Sequence, residues 1–304
     1  MRLYLNHLQL QKLAVEHHDR YLSSAPFPHI VLDNVLPEEA LDLVLREFPQ
    51  PQSSLWKEYK NYQEKKLETQ GEERLSDNIS LILYQFNSAP FLRFLEMLTG
   101  IDDLLPDPYF FGGGLHLIMR GGKLGVHADF SRHAYLPLER RLNVLIYLNK
   151  DWQEDYGGHL EFWNEDMTQC VQRILPVYNR MVILTVTDWA FHGHPVPLTC
   201  PAGISRKSIA LYYYTVGRPQ GELIKGKKTT LFMPRPDETV PQAALQLGYT
   251  YKGRRGVKPL VVKEHKGIQY WIKKLAPPLL IDFVKYMRSS DKAERRNELK
   301  SRQS

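Results

Sequence analysis

Apolar positions along the 304-residue chain change their period from segment to segment. Near the start, PEEALDLVLREF places Leu41, Val44, Leu45 and Phe48 on one helical stripe, and Pro37 with Glu38 and Glu39 suits a first turn. The short run His29–Leu32 before it reads as a strand, and Phe91–Leu98 reads as another amphipathic helix. Between them lies KEYKNYQEKKLETQGEERLSDN. Its polarity predicts an exposed segment or lid over residues 51–80.

From about 108 to 216 the pattern becomes β-like. GLHLIM, KLGVHADF, RLNVLIYLN, GGHLEFW, CVQRILPV, RMVILTV, HGHPVPL and KSIALYYYTV alternate with Gly, Pro and Asp punctuation. Eight short runs at this spacing predict a β-sandwich or barrel. RLNVLIYLN and KSIALYYYT are almost continuously apolar, as in central strands covered on both faces. After Val216 the strand pattern fades. Residues 217–266 are irregular and rich in Gly, Pro and Lys. Ile268, Trp271, Ile272 and Leu275 then mark a helix, Pro277 and Pro278 break it, and LLIDFVKYMRSS reads as a second. The stretch from Asp291 onward reads as frayed. The expected organisation is a helical and strand support region at 1–107, a β core at 108–216 and a basic, partly helical extension at 217–304.

Charge sharpens that division. From Val216 onward lie 20 of the 40 Lys and Arg but only 8 of the 34 Asp and Glu, so the net charge of +6 comes from the C-terminal stretch. Such a stretch suits contact with nucleic acid, an anionic membrane or an acidic partner, and reads first as a solvated basic helical surface. Its aromatics are too few and irregular for a base-stacking platform, so nucleic acid is not an expected partner. The N-terminus lacks the apolar core of a signal peptide, and no apolar run approaches a membrane span. Two cysteines, Cys170 and Cys200, make no disulfide framework, and the reducing cytoplasm is the expected location.

Candidate chemistry begins with GVHADF. In an extended strand, residues i and i+2 point to one side, so His127 and Asp129 bring an imidazole and a carboxylate to one point. A further histidine from another strand completes a 2-His-1-carboxylate facial triad, which holds Fe(II) and leaves open positions. FHGHPVP supplies His192 and His194, and SRKSIALYYYT then supplies Arg206 and, two residues on, Ser208. A guanidinium there suits bidentate, charge-assisted binding of a carboxylate.

This ordered set resembles the Fe(II)/2-oxoglutarate-dependent dioxygenases, nearest their prolyl 4-hydroxylase-like branch. GGKLGVHADF, RRLNVLIYLNKDW, YGGHLEFW, HGHPVP and the Arg-x-Ser of SRKSIALYYY carry the resemblance, over roughly 108–216. It implies a double-stranded β-helix (jelly-roll) core with helices outside. It implies Fe(II) on His127, Asp129 and one of His192 and His194. It implies 2-oxoglutarate as cosubstrate, its distal carboxylate on Arg206 with Ser208 and Tyr147, and Asn143 nearby on the same face as Tyr147. O2 is then consumed, succinate and CO2 are released, and a substrate is hydroxylated, with ascorbate compatible as an added reductant. An intact Asp129 argues against a halogenase. The substrate expected is a prolyl or other protein side chain, or a small amino-acid-like metabolite. A jelly-roll binding module without activity, or a nucleic-acid demethylase, are the rival readings. The oligomeric state is not written in the sequence.

Two departures from the family pattern stand out. Leu124 occupies a position where prolyl hydroxylases often carry tyrosine, and the His192–Arg206 gap is longer than usual. Phe191-His192-Gly193 fits the family's distal ligand better than His194, which is then expected to line the pocket. His116 faces either the pocket or the core, His133 suits a loop facing the substrate, and His159 reads as structural.

Overall fold

The computed structural model describes residues 3–69, 71, 74–219, 229–241, 249–251 and 260–262, the last two stretches by backbone alone. The helices expected over 268–288 lie outside these residues. Contacts divide the chain into two units, Met1–Val261 and Val262–Ser304, and nearly all described residues belong to the first.

Four helices precede most of the strands: α1 (His7–Ser23), α2 (Glu38–Glu47), α3 (Asp77–Phe86) and α4 (Ala89–Thr99). Their ends follow local chemistry. The Asn6 side chain accepts from Gln9 N at 3.2 Å, Ser76 Oγ accepts from Ile79 N at 3.3 Å, and α4 stops at Gly100 with φ +68°. Phe91, Phe94, Leu95 and Leu98 form the buried stripe of α4.

The strands are β1 (His29–Asp33), β2 (Trp56–Lys60), β3 (Glu64–Thr69), β4 (Leu105–Pro106), β5 (Gly114–Met119), β6 (Lys123–Ala128), β7 (Glu139–Tyr147), β8 (Leu160–Trp163), β9 (Cys170–Ile174), β10 (Arg180–Thr185), β11 (His192–His194), β12 (Ser205–Thr215) and β13 (Leu231–Phe232). They join in the order β1-β10-β7-β12-β5-β3-β6-β11-β8-β9, and the pairings are antiparallel. The ladder doubles over on itself. Val182 and Leu184 of β10 and Tyr147 of β7 pack with Leu160 and Phe162 of β8 and Ile174 of β9, strands distant along the ladder. On the opposite face, Leu142, Val144, Ile146, Ile209, Leu211 and Tyr213 pack with the helices. This is the jelly-roll expected. Both faces of β7 and β12 are covered, which is why their sequences are nearly continuous in apolar residues.

One expectation fails. Residues 51–80 are not an exposed lid. Residues 56–69 fold as the β2–β3 hairpin, and β3 sits in the ladder between β5 and β6, while α3 begins at Asp77. The strand pattern also resumes after Val216: β13 pairs with Ala128 and His127 of β6.

Candidate metal and cosubstrate site

The end of β6 carries His127 and, just beyond it, Asp129, while β11 sets His192 directly opposite His127. His127 Nε2 lies 3.5 Å from Asp129 Oδ1, and His192 Nε2 lies 3.4 Å from Asp129 Oδ2. The ligand atoms of the three residues lie within 4.8 Å of one another, the one such group of three among the described residues. The other nitrogen of each ring is tied back. His127 Nδ1 donates to Gly125 O at 2.8 Å and His192 Nδ1 to Ala190 O at 3.0 Å. A carbonyl only accepts, so Nδ1 keeps the proton and the Nε2 lone pair faces the carboxylate.

Asp129 is held from behind. Asn143 Nδ2 donates to Asp129 Oδ2 at 2.5 Å, and Asn143 Oδ1 accepts from Arg140 Nε at 2.8 Å. The Arg140 side chain, only 1% exposed, lies 3.5 Å from Asp129 Oδ2 between the rings of Phe130 and Tyr212. Burial by itself pushes the Asp129 carboxyl up, but Arg140, His192 and His127 outweigh it and hold the group well below the ordinary carboxylate range. Burial brings His192 down to about 4 against the opposing pull of Asp129. A carboxylate and an uncharged imidazole are the forms a divalent metal binds. Arg140 was not singled out from the sequence. A register shift opposite Tyr213 and Tyr214 pairs Arg140 with Tyr214 but Leu142 with Tyr213, and this turns Arg140 to the same face as Asn143.

Gly193 separates the two histidines, and β11 shifts register between them. A Cβ there would approach Gly125 O at 2.7 Å and Leu124 O at 2.9 Å, both backbone. β11 therefore packs against β6 more closely than any side chain permits. Gly193→Ala is expected to cost about 1–3 kcal/mol of overpacking. A thermal melt should show Tm lower by a few degrees, and an unchanged Tm would refute this account of the glycine.

His194 pairs with Leu124 and is 3% exposed, and neither ring nitrogen has a hydrogen-bond partner among the described residues. Burial first, then the charges of Arg206 and Lys66, keep its pKa well below the ordinary imidazole range.

Across the interior, Arg206 donates from Nε to Gly158 O at 2.9 Å and from Nη2 to Tyr147 Oη at 3.2 Å. Its guanidinium lies 4.8 Å from the centroid of the Tyr147 ring and pairs with no carboxylate among the described residues. Burial lowers its pKa against the opposing pull of Tyr147. Ser208, also buried, stands opposite Tyr147 on β7 and His116 on β5. Gly158 has φ +72°, and a Cβ there would lie 2.6 Å from Leu198 Cδ2 and 3.1 Å from Arg206 Cδ. The three other histidines weighed from the sequence are engaged. His116 Nε2 meets Gly112 O at 3.2 Å, His159 Nε2 meets Glu154 Oε1 at 2.8 Å, and His133 bridges Asp107 and the amides of Tyr135 and Leu136. His133 is thus buried as a tie between loops, and it does not face outward toward a substrate.

Residues 113–214 match the model of the 2OG-Fe(II) oxygenase superfamily. The chain carries a 2OG-Fe(II) oxygenase domain. The oxygenase domain is similar in structure to a prolyl-4-hydroxylase from Pseudomonas putida, at 17% identity over 68% of this chain and 100% of that one, with a TM-score of 0.50. It is similar also to a Trichoplax adhaerens prolyl hydroxylase in complex with a hypoxia inducible factor oxygen degradation domain peptide fragment, at 16% identity over 68% and 91%, with a TM-score of 0.51. At such identities the two structures speak for the fold, a prolyl hydroxylase-like jelly-roll. No curated protein matches the chain. The oxygenase is a 2-oxoglutarate-dependent dioxygenase, with Fe(II) as metal and O2 as co-reactant. Among the described residues no helix is long and apolar enough to cross a membrane.

Proposed function

We propose that His127, Asp129 and His192 hold the Fe(II) of this oxygenase, and that Arg206, with Tyr147 and Ser208, takes the distal carboxylate of 2-oxoglutarate. The observation that carries the reading is the buried cluster itself: two imidazoles with Nε2 turned inward and a carboxylate between them. The donor set fits Fe(II), which two neutral imidazoles and one carboxylate bind on a single face. The buried guanidinium fits a carboxylate ligand, since nothing anionic among the described residues neutralises it. When bound, the iron supplies the oxidative decarboxylation of 2-oxoglutarate to succinate and CO2 and the transfer of oxygen to a C–H bond.

The chain's own residues supply geometry. Gly125 and Ala190 carbonyls set both imidazole tautomers, Asn143 and Arg140 fix the carboxylate, and apolar side chains keep water scarce. Asn143, expected near the cosubstrate, is positioned to act through Asp129. We place the chemistry in 108–216, with 1–107 as support and 217–304 as a basic extension. The substrate we propose is a prolyl or other protein side chain, or a small amino-acid-like metabolite. The free Cys170 and Cys200 accord with a reducing cytoplasm.

The test is an anaerobic titration of the protein with Fe(II) and then 2-oxoglutarate. The expected result is the weak visible charge-transfer band of the chelate, followed, once O2 is admitted, by succinate release that prolyl peptides or free amino acids accelerate. Absence of the band in a folded protein would sink the assignment of these residues.

A further inference from the structure

We propose that His194 binds the cosubstrate, donating a hydrogen bond from its imidazole N–H to a carboxylate oxygen of 2-oxoglutarate. The proposal rests on the reading of the metal and Arg206 sites above and adds a contact to it.

Three observations converge. First, both nitrogens of this deeply buried ring are without a partner among the described residues. Buried polar groups are nearly always satisfied, and leaving one unpaired is costly. An apolar side chain would fill the same space without that cost. Second, His194 differs from the two histidines beside it. His127 and His192 each secure Nδ1 on a backbone carbonyl, so only their Nε2 atoms are open. The pairing of β11 with β6 shifts register between His192 and His194, and neither nitrogen of His194 is fixed by a partner among the described residues. Third, the sheet places His194 between the two sites. It lies two residues beyond His192 on β11, and β11 pairs on its other side with β8, which follows Gly158, the residue whose carbonyl holds Arg206 Nε at 2.9 Å.

The surroundings also decide the direction of the bond. Lys66 is engaged with Glu68 at 3.2 Å and Glu64 at 3.6 Å, and His116 with Gly112 O. Arg206, unlike Lys66, is left without a carboxylate among the described residues, and the ligand that suits it is an anionic acceptor. The imidazole then presents its N–H to a carboxylate oxygen of that ligand, a charge-assisted bond.

The experiment uses Mn(II)-loaded protein under argon, where binding is read without turnover. Calorimetric titration with 2-oxoglutarate should give H194L a Kd raised about 10- to 100-fold, the effect of losing one hydrogen bond to a charged group. The Mn(II) Kd should stay as in wild type, and H194Q, which keeps an N–H donor, should recover most of the cosubstrate affinity. A second measurement uses Zn(II)-loaded protein with 15N-labelled histidine. Adding 2-oxoglutarate should bring up a hydrogen-bonded imidazole N–H resonance that H194Q lacks. The proposal is overturned if H194L binds 2-oxoglutarate as wild type does. It is overturned if H194Q is as weak as H194L, which would mean shape alone, or if H194L also loses Mn(II), which would make the ring a ligand. Should H194L not fold, the labelled wild type decides: no imidazole resonance responding to 2-oxoglutarate overturns the proposal. If His192→Ala retained Mn(II) at full strength, the underlying metal assignment would fail instead.

Discussion

His192→Ala is expected to lower divalent-metal affinity by more than about 100-fold and to abolish turnover, while His194→Ala leaves metal affinity near wild type. Disturbing a group that merely orients a metal ligand costs about 10- to 100-fold in metal affinity, so removing a ligand should exceed that range. The contrast between two histidines two residues apart is the informative part. His192 lies 3.4 Å from Asp129 through Nε2, with Nδ1 held by Ala190 O. His194 makes neither contact. The pH dependence of the metal titration adds a check. With its pKa at about 4, His192 is already uncharged at neutral pH, and Asp129 is held ionised well below the ordinary range. Neither residue should then contribute a proton to the metal's uptake between about pH 6 and 8. Calorimetry with Mn(II) or Co(II) measures both affinities. If His194→Ala loses the metal and His192→Ala keeps it, the ligand assignment is reversed.

How far the sequence carries depends on whether local pattern and burial agree. In β7 and β12 they do, because both faces are covered by apolar neighbours and the strands read as such. His127 and Asp129 were legible because an extended strand fixes their common side. β3 was illegible for a physical reason: its alternation is inverted. Glu64, Lys66 and Glu68 share one face and neutralise one another at 3.2–3.6 Å, while Leu67 between them packs with the core behind the sheet. A rule that reads charge as exposure must miss such a strand. Arg140 was hidden for another reason. Its inward face is created by the register shift opposite Tyr213 and Tyr214, and strict alternation would have placed it away from Asn143. The α3 helix was legible in principle, since Ile79, Ile82, Leu83 and Phe86 keep helical spacing behind a Ser76 cap. The polar stretch before it masked its start.

Arg206→Met should separate binding from stability most clearly. In the cosubstrate-free protein, Arg206 is a buried charge with no carboxylate among the described residues, only Gly158 O and Tyr147 Oη as hydrogen-bond partners. Burial disfavours its charged form, as the lowered pKa records. Replacing such a charge with an apolar side chain of similar length is often neutral or stabilising, although Tyr147 loses a partner here. The Tm of the cosubstrate-free variant should therefore stay within a few degrees of wild type or rise. With 2-oxoglutarate the sign reverses. The variant loses charge-assisted bonds to the distal carboxylate, worth about 3 kcal/mol or more together, so its Kd for 2-oxoglutarate should rise more than about 100-fold. The stabilisation that saturating 2-oxoglutarate gives wild type in a thermal melt should vanish in step. Arg206→Lys keeps the charge but not the planar fork, and should recover only part of the affinity. A purely structural arginine would behave in the opposite way: the melt would collapse without cosubstrate, and whatever remained folded would bind 2-oxoglutarate normally.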